Sequence, residues 1–147
     1  MIELNQLPAN ISSITKQDWD KLFCLIDEIE KTEMFGKNIV MEHQTDGILH
    51  FPFFETSDIV TRFLAIVYEL DIIQVFDWMA WQEGENILDN RQQDYNSLDS
   101  ITLCKLLTTI VRSDRFSEGY ISFCFETGVI SKILQALKIK TTYFTLN

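Results

Sequence analysis

A chain of 147 residues that is 46% hydrophobic, with eleven Phe and three Trp, is long enough to bury about two thirds of its unfolded surface in one core, which excludes a disordered chain. Its net charge of −10 excludes general DNA or RNA binding, which depends on Lys and Arg neutralising phosphates. The opening MIELNQLPANISS lacks a basic start followed by an apolar stretch, and no later apolar run approaches the roughly eighteen residues that span a bilayer, so a soluble protein without membrane contact is expected.

Thr15 followed by Asp18 has the form of an N-terminal cap, and Trp19, Leu22, Phe23, Ile26 and Ile29 recur at helical spacing, predicting a helix over 15–34. Residues 38–54 break that pattern. There, β-branched and aromatic residues flank Asp46-Gly47, the signal of a two-residue hairpin turn, and Pro52 confines the second strand to an edge or ends it. Ser57 is placed to cap a helix running to about Leu70, and Asp77 a further helix through Trp78 and Trp81 to Leu88. DNRQQDYNS reads as a surface loop.

SITLCKLLTTIVR, after Ser97 or Asp99, is too densely apolar for a half-exposed helix and should be the central one. Another helix is expected from Ser113 or Asp114 to Gly128, then a last one through Ile130, Ile133, Leu134 and Leu137. The tail TTYFTLN is β-prone and is expected to dock as a strand or a partner contact. The sum is a mainly α (α+β) fold, with residues 1–147 forming a single domain. Five to six helices pack around a central helix near 99–112, with a small β-hairpin near 38–54.

Candidate sites are few. His43 and His50 are the only histidines, and a turn at Asp46-Gly47 would set them directly across the hairpin. A metal site needs a third ligand, and Glu42 would face the other side of its strand, so no metal and no cofactor are expected. Cys24, Cys104 and Cys124 form no C-x-x-C pair and sit in apolar stretches, as buried reduced thiols of a cytoplasmic protein do. Trp78 and Trp81, three apart, are either core filler or the wall of a ligand pocket.

Charge is unevenly spread, residues 1–104 carrying −13 and residues 105–147 carrying +3. IVRSDRFSEGY falls in the basic part. Arg112 in a last helical turn and Glu118 in a first or second turn would each suit the helix dipole, and with Arg115 they could form an ion-paired corner. Alternatively the two arginines fork around an anionic group, with Glu118 orienting one of them.

FPFFE, FDWMAWQEG and LCKLLTTIVRSDRFSEGYISFCFETGVISKIL together resemble a family of small bacterial and phage-associated proteins classed as a domain of unknown function. The likeness covers about residues 35–138. Its most specific part is R-x-x-R-F-x-E-G with a glycine nine residues on (Arg112, Arg115, Phe116, Glu118, Gly119, Gly128), and the pair Trp78 and Trp81 comes second. The resemblance implies a recurrent pattern at these positions and no chemistry. The helix at 15–34 and the tail at 139–147 fall outside it and are candidates for parts specific to this protein.

The leading expectation is a noncatalytic module that binds a protein or a small anionic ligand through Arg112, Arg115 and Glu118, with Trp78 and Trp81 lining the site. A hydrolase or transferase acting on a phosphate-bearing substrate, with Glu118 or Glu83 as base, ranks lower, because no nucleophile elbow, phosphate loop or metal spacing is present. The third reading is an acidic inhibitor of a nucleic-acid-binding protein, drawn from the −13 section. Eighteen aromatic residues and the tail leave room for a homodimer.

Overall fold

The computed structural model describes residues 9–39 and 53–144. A single turn, α1 (Ala9–Ser12), precedes α2 (Lys16–Phe23), whose first turn is capped by the Thr15 hydroxyl accepting from the Asp18 N–H. The predicted helix over 15–34 is broken at Cys24, and α3 (Leu25–Lys31) continues it to Thr32. Because it sits at the break, Cys24 is exposed, contrary to the burial expected for all three cysteines. Trp19 and Phe23 stack with ring centres 5.6 Å apart on the inner face of α2.

Two short antiparallel strands follow, β1 (Gly36–Ile39) and β2 (Phe53–Thr56), pairing Asn38 with Phe54 and Ile39 with Phe53. This is one residue out of step with an unbroken ladder from a two-residue turn, which would set Asn38 opposite Glu55. The phase of β2 is fixed by Phe54, whose ring lies inward against Gly36 and Gly119. The expected turn at Asp46-Gly47 and the facing of His43 and His50 lie outside the described residues.

Ser57 occupies the cap position of α4 (Asp58–Glu69), yet its side chain makes no cap bond, and its hydroxyl is buried without a partner among the described residues. Asp71 closes α4 at φ 58°, a left-handed conformation that Asp tolerates better than most residues. The chain then runs along the central helix, where the Gln74 N–H donates to the Thr108 hydroxyl at 2.8 Å. No long helix contains both tryptophans. Trp78–Ala80 is one 3-10 turn, Asp77 caps nothing, and α5 (Gln82–Asp89) begins only after Trp81. The loop after α5 holds a second 3-10 turn, Tyr95–Ser97, and buries the Tyr95 ring.

α6 (Ser100–Ser113) is the expected central helix, started by Asp99 accepting from the Thr102 N–H at 2.7 Å. Leu103, Cys104, Leu106, Leu107 and Ile110 are fully buried along it. The next helix does not begin at Ser113 or Asp114. Residues 114–119 form turns, and α7 (Tyr120–Glu126) starts after Gly119, so Glu118 stands before the helix and not in its first turn. Gly128, at φ 83°, separates α7 from α8 (Val129–Phe144).

The tail, expected to dock as a strand or a partner contact, is not a strand at 141–144 but helical as far as Phe144, and 145–147 lie outside the described residues. Its β-prone threonines are accommodated by hydroxyl bonds back to the Lys138 carbonyl, 3.3 Å from Thr141 and 2.9 Å from Thr142. α8 lies across α2, α3 and α6 and completes the core, with Ile130, Ile133, Leu134, Ala136 and Leu137 fully buried. With α2 and α3 taken as one broken helix and α1 set aside, six helices enclose the core, and the fold is mainly α with one small ribbon. Among the described residues no helix is long and apolar enough to cross a membrane.

Candidate functional site

The last turn of α6 and the connection to α7 carry the R-x-x-R-F-x-E-G residues, and the geometry assigns them different tasks. The Asp114 carboxylate accepts the Ile121 N–H at 3.0 Å, tying the turn to the start of α7. Glu118 accepts the Phe54 N–H at 2.6 Å and so covers an outward-facing amide on the edge of β2. Gly119 adopts φ 87°, and the Phe54 ring lies 3.3 Å from where a Cβ would stand. The Phe35 carbonyl accepts from both the Ser122 hydroxyl and the Ser57 N–H, each at 2.9 Å, which fixes the other strand to α7 and α4. The E-G pair is therefore a clamp for the ribbon.

Neither arginine joins that clamp. Arg112 is half-buried in the last turn of α6 and Arg115 is exposed, and among the described residues neither forms an ion pair, with Glu118 or with any other acid. Phe116 is 73% exposed, and its ring lies 6.1 Å from that of half-buried Trp78.

Trp81 packs edge-on to Phe76, with centroids 5.5 Å apart, and carries the Lys105 ammonium over its ring at 4.5 Å. Gly84 gives this indole its place, because a Cβ there would overlap the six-membered ring. Trp78 and Trp81, although not on one helix, line one cavity of about 410 Å³ with Glu85, Leu88, Asp89 and Tyr120. A second cavity of about 540 Å³ shares Leu88, Asp89 and Tyr120 and adds Arg91, Tyr95, Phe123 and Lys132. The two form adjoining lobes of one aromatic groove along α5, α6 and α7. Arg112, Arg115, Glu118 and Glu83 line neither lobe.

Sequence reasoning missed Glu85, Asp89, Tyr120, Arg91 and Lys132. Trp81, Glu85, Leu88 and Asp89 recur at helical spacing, and the first three fall within the helix expected from Asp77 to Leu88. Cys124 is largely buried and lines the second lobe beside Tyr120. Burial pushes the Cys124 thiol up to about 11 and that of fully buried Cys104 to about 12. The Tyr120 hydroxyl is raised as well, by burial first and then by Cys124.

These features define a mainly helical domain with a two-stranded ribbon clamped at one corner and an aromatic groove beside it. The chain belongs to a family of unknown function, DUF6508, whose model matches residues 14–141 and so takes in α2 and α3 as well as the motif region. No curated protein and no solved structure matches it.

Proposed function

We propose that the protein is a noncatalytic binding module that receives a protein segment or a small ligand bearing an anionic group in the two-lobed groove. The observation that carries this reading is the pair of adjoining cavities, about 410 and 540 Å³, which share Leu88, Asp89 and Tyr120 and are walled by aromatic rings. Arg91 and Lys132 line the larger lobe and, among the described residues, outnumber its one carboxylate, Asp89, so that lobe suits the anionic group. Free thiols at all three cysteines suit a reducing cytoplasm.

The enzymatic alternative is weaker because of its named bases. Glu118 is already engaged by the Phe54 amide, and Glu83 lies outside both lobes. The inhibitor reading loses ground because several acids of the −13 section pair with the chain's own bases. Asp20 pairs with Lys16, Glu69 with Lys21, and Glu28 and Asp58 with Arg62.

The test is the melting temperature of the full chain with inorganic phosphate, nucleotides, sugar phosphates and dicarboxylates, in the wild type, Lys132→Gln, Arg91→Gln and Arg115→Gln. A ligand at a hundred times its Kd should stabilise the wild type by about 2.7 kcal/mol. That gain should be lost in Lys132→Gln. If no anion shifts the wild type, the small-anion version is wrong.

A further inference from the structure

The larger lobe holds a buried polar group that the fold leaves unused. Tyr95 is only 6% exposed and lines that cavity, and its hydroxyl forms no hydrogen bond among the described residues. A buried phenol ordinarily finds a partner, so one left unmet beside a cavity speaks for what the cavity takes up. Among the described residues only Ser57 has a side-chain polar atom sealed away without a partner, so the Tyr95 oxygen opens onto the space beside it.

Tyr95 also borders a third cavity, of about 200 Å³, together with Asp94 and Lys132. The side on which its hydroxyl lies decides between the two. Burial raises the Tyr95 phenol first, and the nearby Cys124 thiol raises it further. Cys124 lines the larger lobe and not the third cavity, which puts the hydroxyl on the larger lobe's side. Kept protonated, that hydroxyl both gives and accepts a hydrogen bond.

The rest of the lobe suits a flat guest with one charged end. Tyr120 and Phe123 stack with ring centres 6.4 Å apart, and Phe123 is 56% exposed, an aromatic surface for a further ring to cover. Arg91 and Lys132 are exposed at the rim and form no ion pair among the described residues. The lining's one carboxylate among the described residues, Asp89, is shared with the smaller lobe. An anionic group held at the rim, with a ring along the wall, leaves the far end of the guest at Tyr95.

We propose that the larger lobe takes a small aromatic acid with a hydroxyl at the end remote from its carboxylate, the acid at Arg91 and Lys132 and the hydroxyl at Tyr95. Tyr95 then sets the specificity. The inference rests on the groove being the binding site, and it names the class of ligand that the larger lobe selects.

The experiment is a calorimetric titration of the full chain with para-hydroxyphenylacetate, phenylacetate, acetate and para-hydroxybenzyl alcohol, in the wild type, Tyr95→Phe and Lys132→Gln. The wild type should bind para-hydroxyphenylacetate about tenfold more tightly than phenylacetate, the worth of one hydrogen bond to a buried group. Acetate, without the ring, and the alcohol, without the charge, should bind more weakly than para-hydroxyphenylacetate. Tyr95→Phe removes an oxygen that the fold does not use, so its melting temperature should not fall, and it should bind the two aromatic acids alike. Lys132→Gln should weaken both by the same factor and keep the preference between them. The inference is overturned if the wild type does not distinguish the two acids, if folded Tyr95→Phe still does, or if Tyr95→Phe is destabilised, which would give the hydroxyl a structural partner. Should the acids bind through Lys132 without regard to the hydroxyl, the role of Tyr95 falls and the groove stands. Should no acid bind while another anion still acts through Lys132, the inference likewise falls and the groove stands. Should no anion bind, both readings fall.

Discussion

Replacing a glycine inside a helix by alanine ordinarily stabilises it by about 0.5–1 kcal/mol, because the unfolded chain loses freedom. Gly84→Ala should do the opposite. Gly84 lies within α5 and is buried, and an added Cβ would overlap three atoms of the Trp81 ring. The indole has little freedom to yield, being set edge-on to Phe76 at 5.5 Å and beneath the Lys105 ammonium at 4.5 Å. Overpacking of this kind costs about 1–3 kcal/mol, and loss of the cation–π contact adds about 0.5–1 kcal/mol. Set against the helix gain, the net loss is about 1–3 kcal/mol, or roughly 3–9 °C of melting temperature for a domain of this size. Thermal and urea melts would measure it, and a second variant sharpens the reading. In a Trp81→Leu background the obstacle is gone, so the same Gly84→Ala change should become neutral or stabilising. That sign reversal is a coupling of more than about 1 kcal/mol, as expected for residues in contact. A Gly84→Ala protein that melts at or above the wild-type temperature would refute the placement of Trp81, and with it the shape of the smaller lobe.

Two further outcomes follow from the clamp and the thiols. Glu118→Ala should lose about 1 kcal/mol in a urea melt, the worth of a charge-assisted hydrogen bond reduced by exposure, whereas Arg115→Gln should stay within about 0.5 kcal/mol of the wild type; equal losses in the two would restore an ion-paired corner. Burial raises Cys124 from 9.0 to about 11 and Cys104 from 9.0 to about 12. Above pH 9 the unfolded chain sheds protons that the folded chain keeps. Stability should therefore be intact below that pH and fall by about 1.4 kcal/mol per pH unit for each thiol up to its folded value. Cys124→Ala should make the loss between pH 9 and 11 shallower, and an unchanged slope would count against its burial.

The parts of the fold legible in the sequence are those governed by apolar period and by caps that work locally. The stripe from Leu103 to Val111 marked the central helix, Asp99 its start, and Gly128 the boundary before α8. What failed depended on partners distant in the chain. The break at Cys24 interrupts a continuous apolar period. Ser57 has the identity and position of a cap but not the bond. The phase of β2 follows from Phe54 meeting Gly36 and Gly119, which no hairpin turn signal encodes. For the site, the two tryptophans were legible as a pair, but the helical face assigned to them was not real. Trp78 lies in a 3-10 turn and Trp81 immediately precedes α5, so the two share a cavity without sharing a helix.

The R-x-x-R-F-x-E-G spacing made the arginines and the glutamate look like one device, since ion pairs and anion forks use the same residue types at the same separation. The geometry divides it. Glu118 and Gly119 face the ribbon, one closing an edge amide and the other making room for the Phe54 ring, and a sequence can demand both for folding alone. Phe116 turns the other way, to Trp78, and leaves most of its surface in water, a position that core packing does not require. Arg112 and Arg115 form no ion pair among the described residues. Half of the motif is therefore accounted for by the fold. Of the remaining three, exposed Phe116 reaches the groove's wall at Trp78, whereas Arg112 and Arg115 line neither lobe.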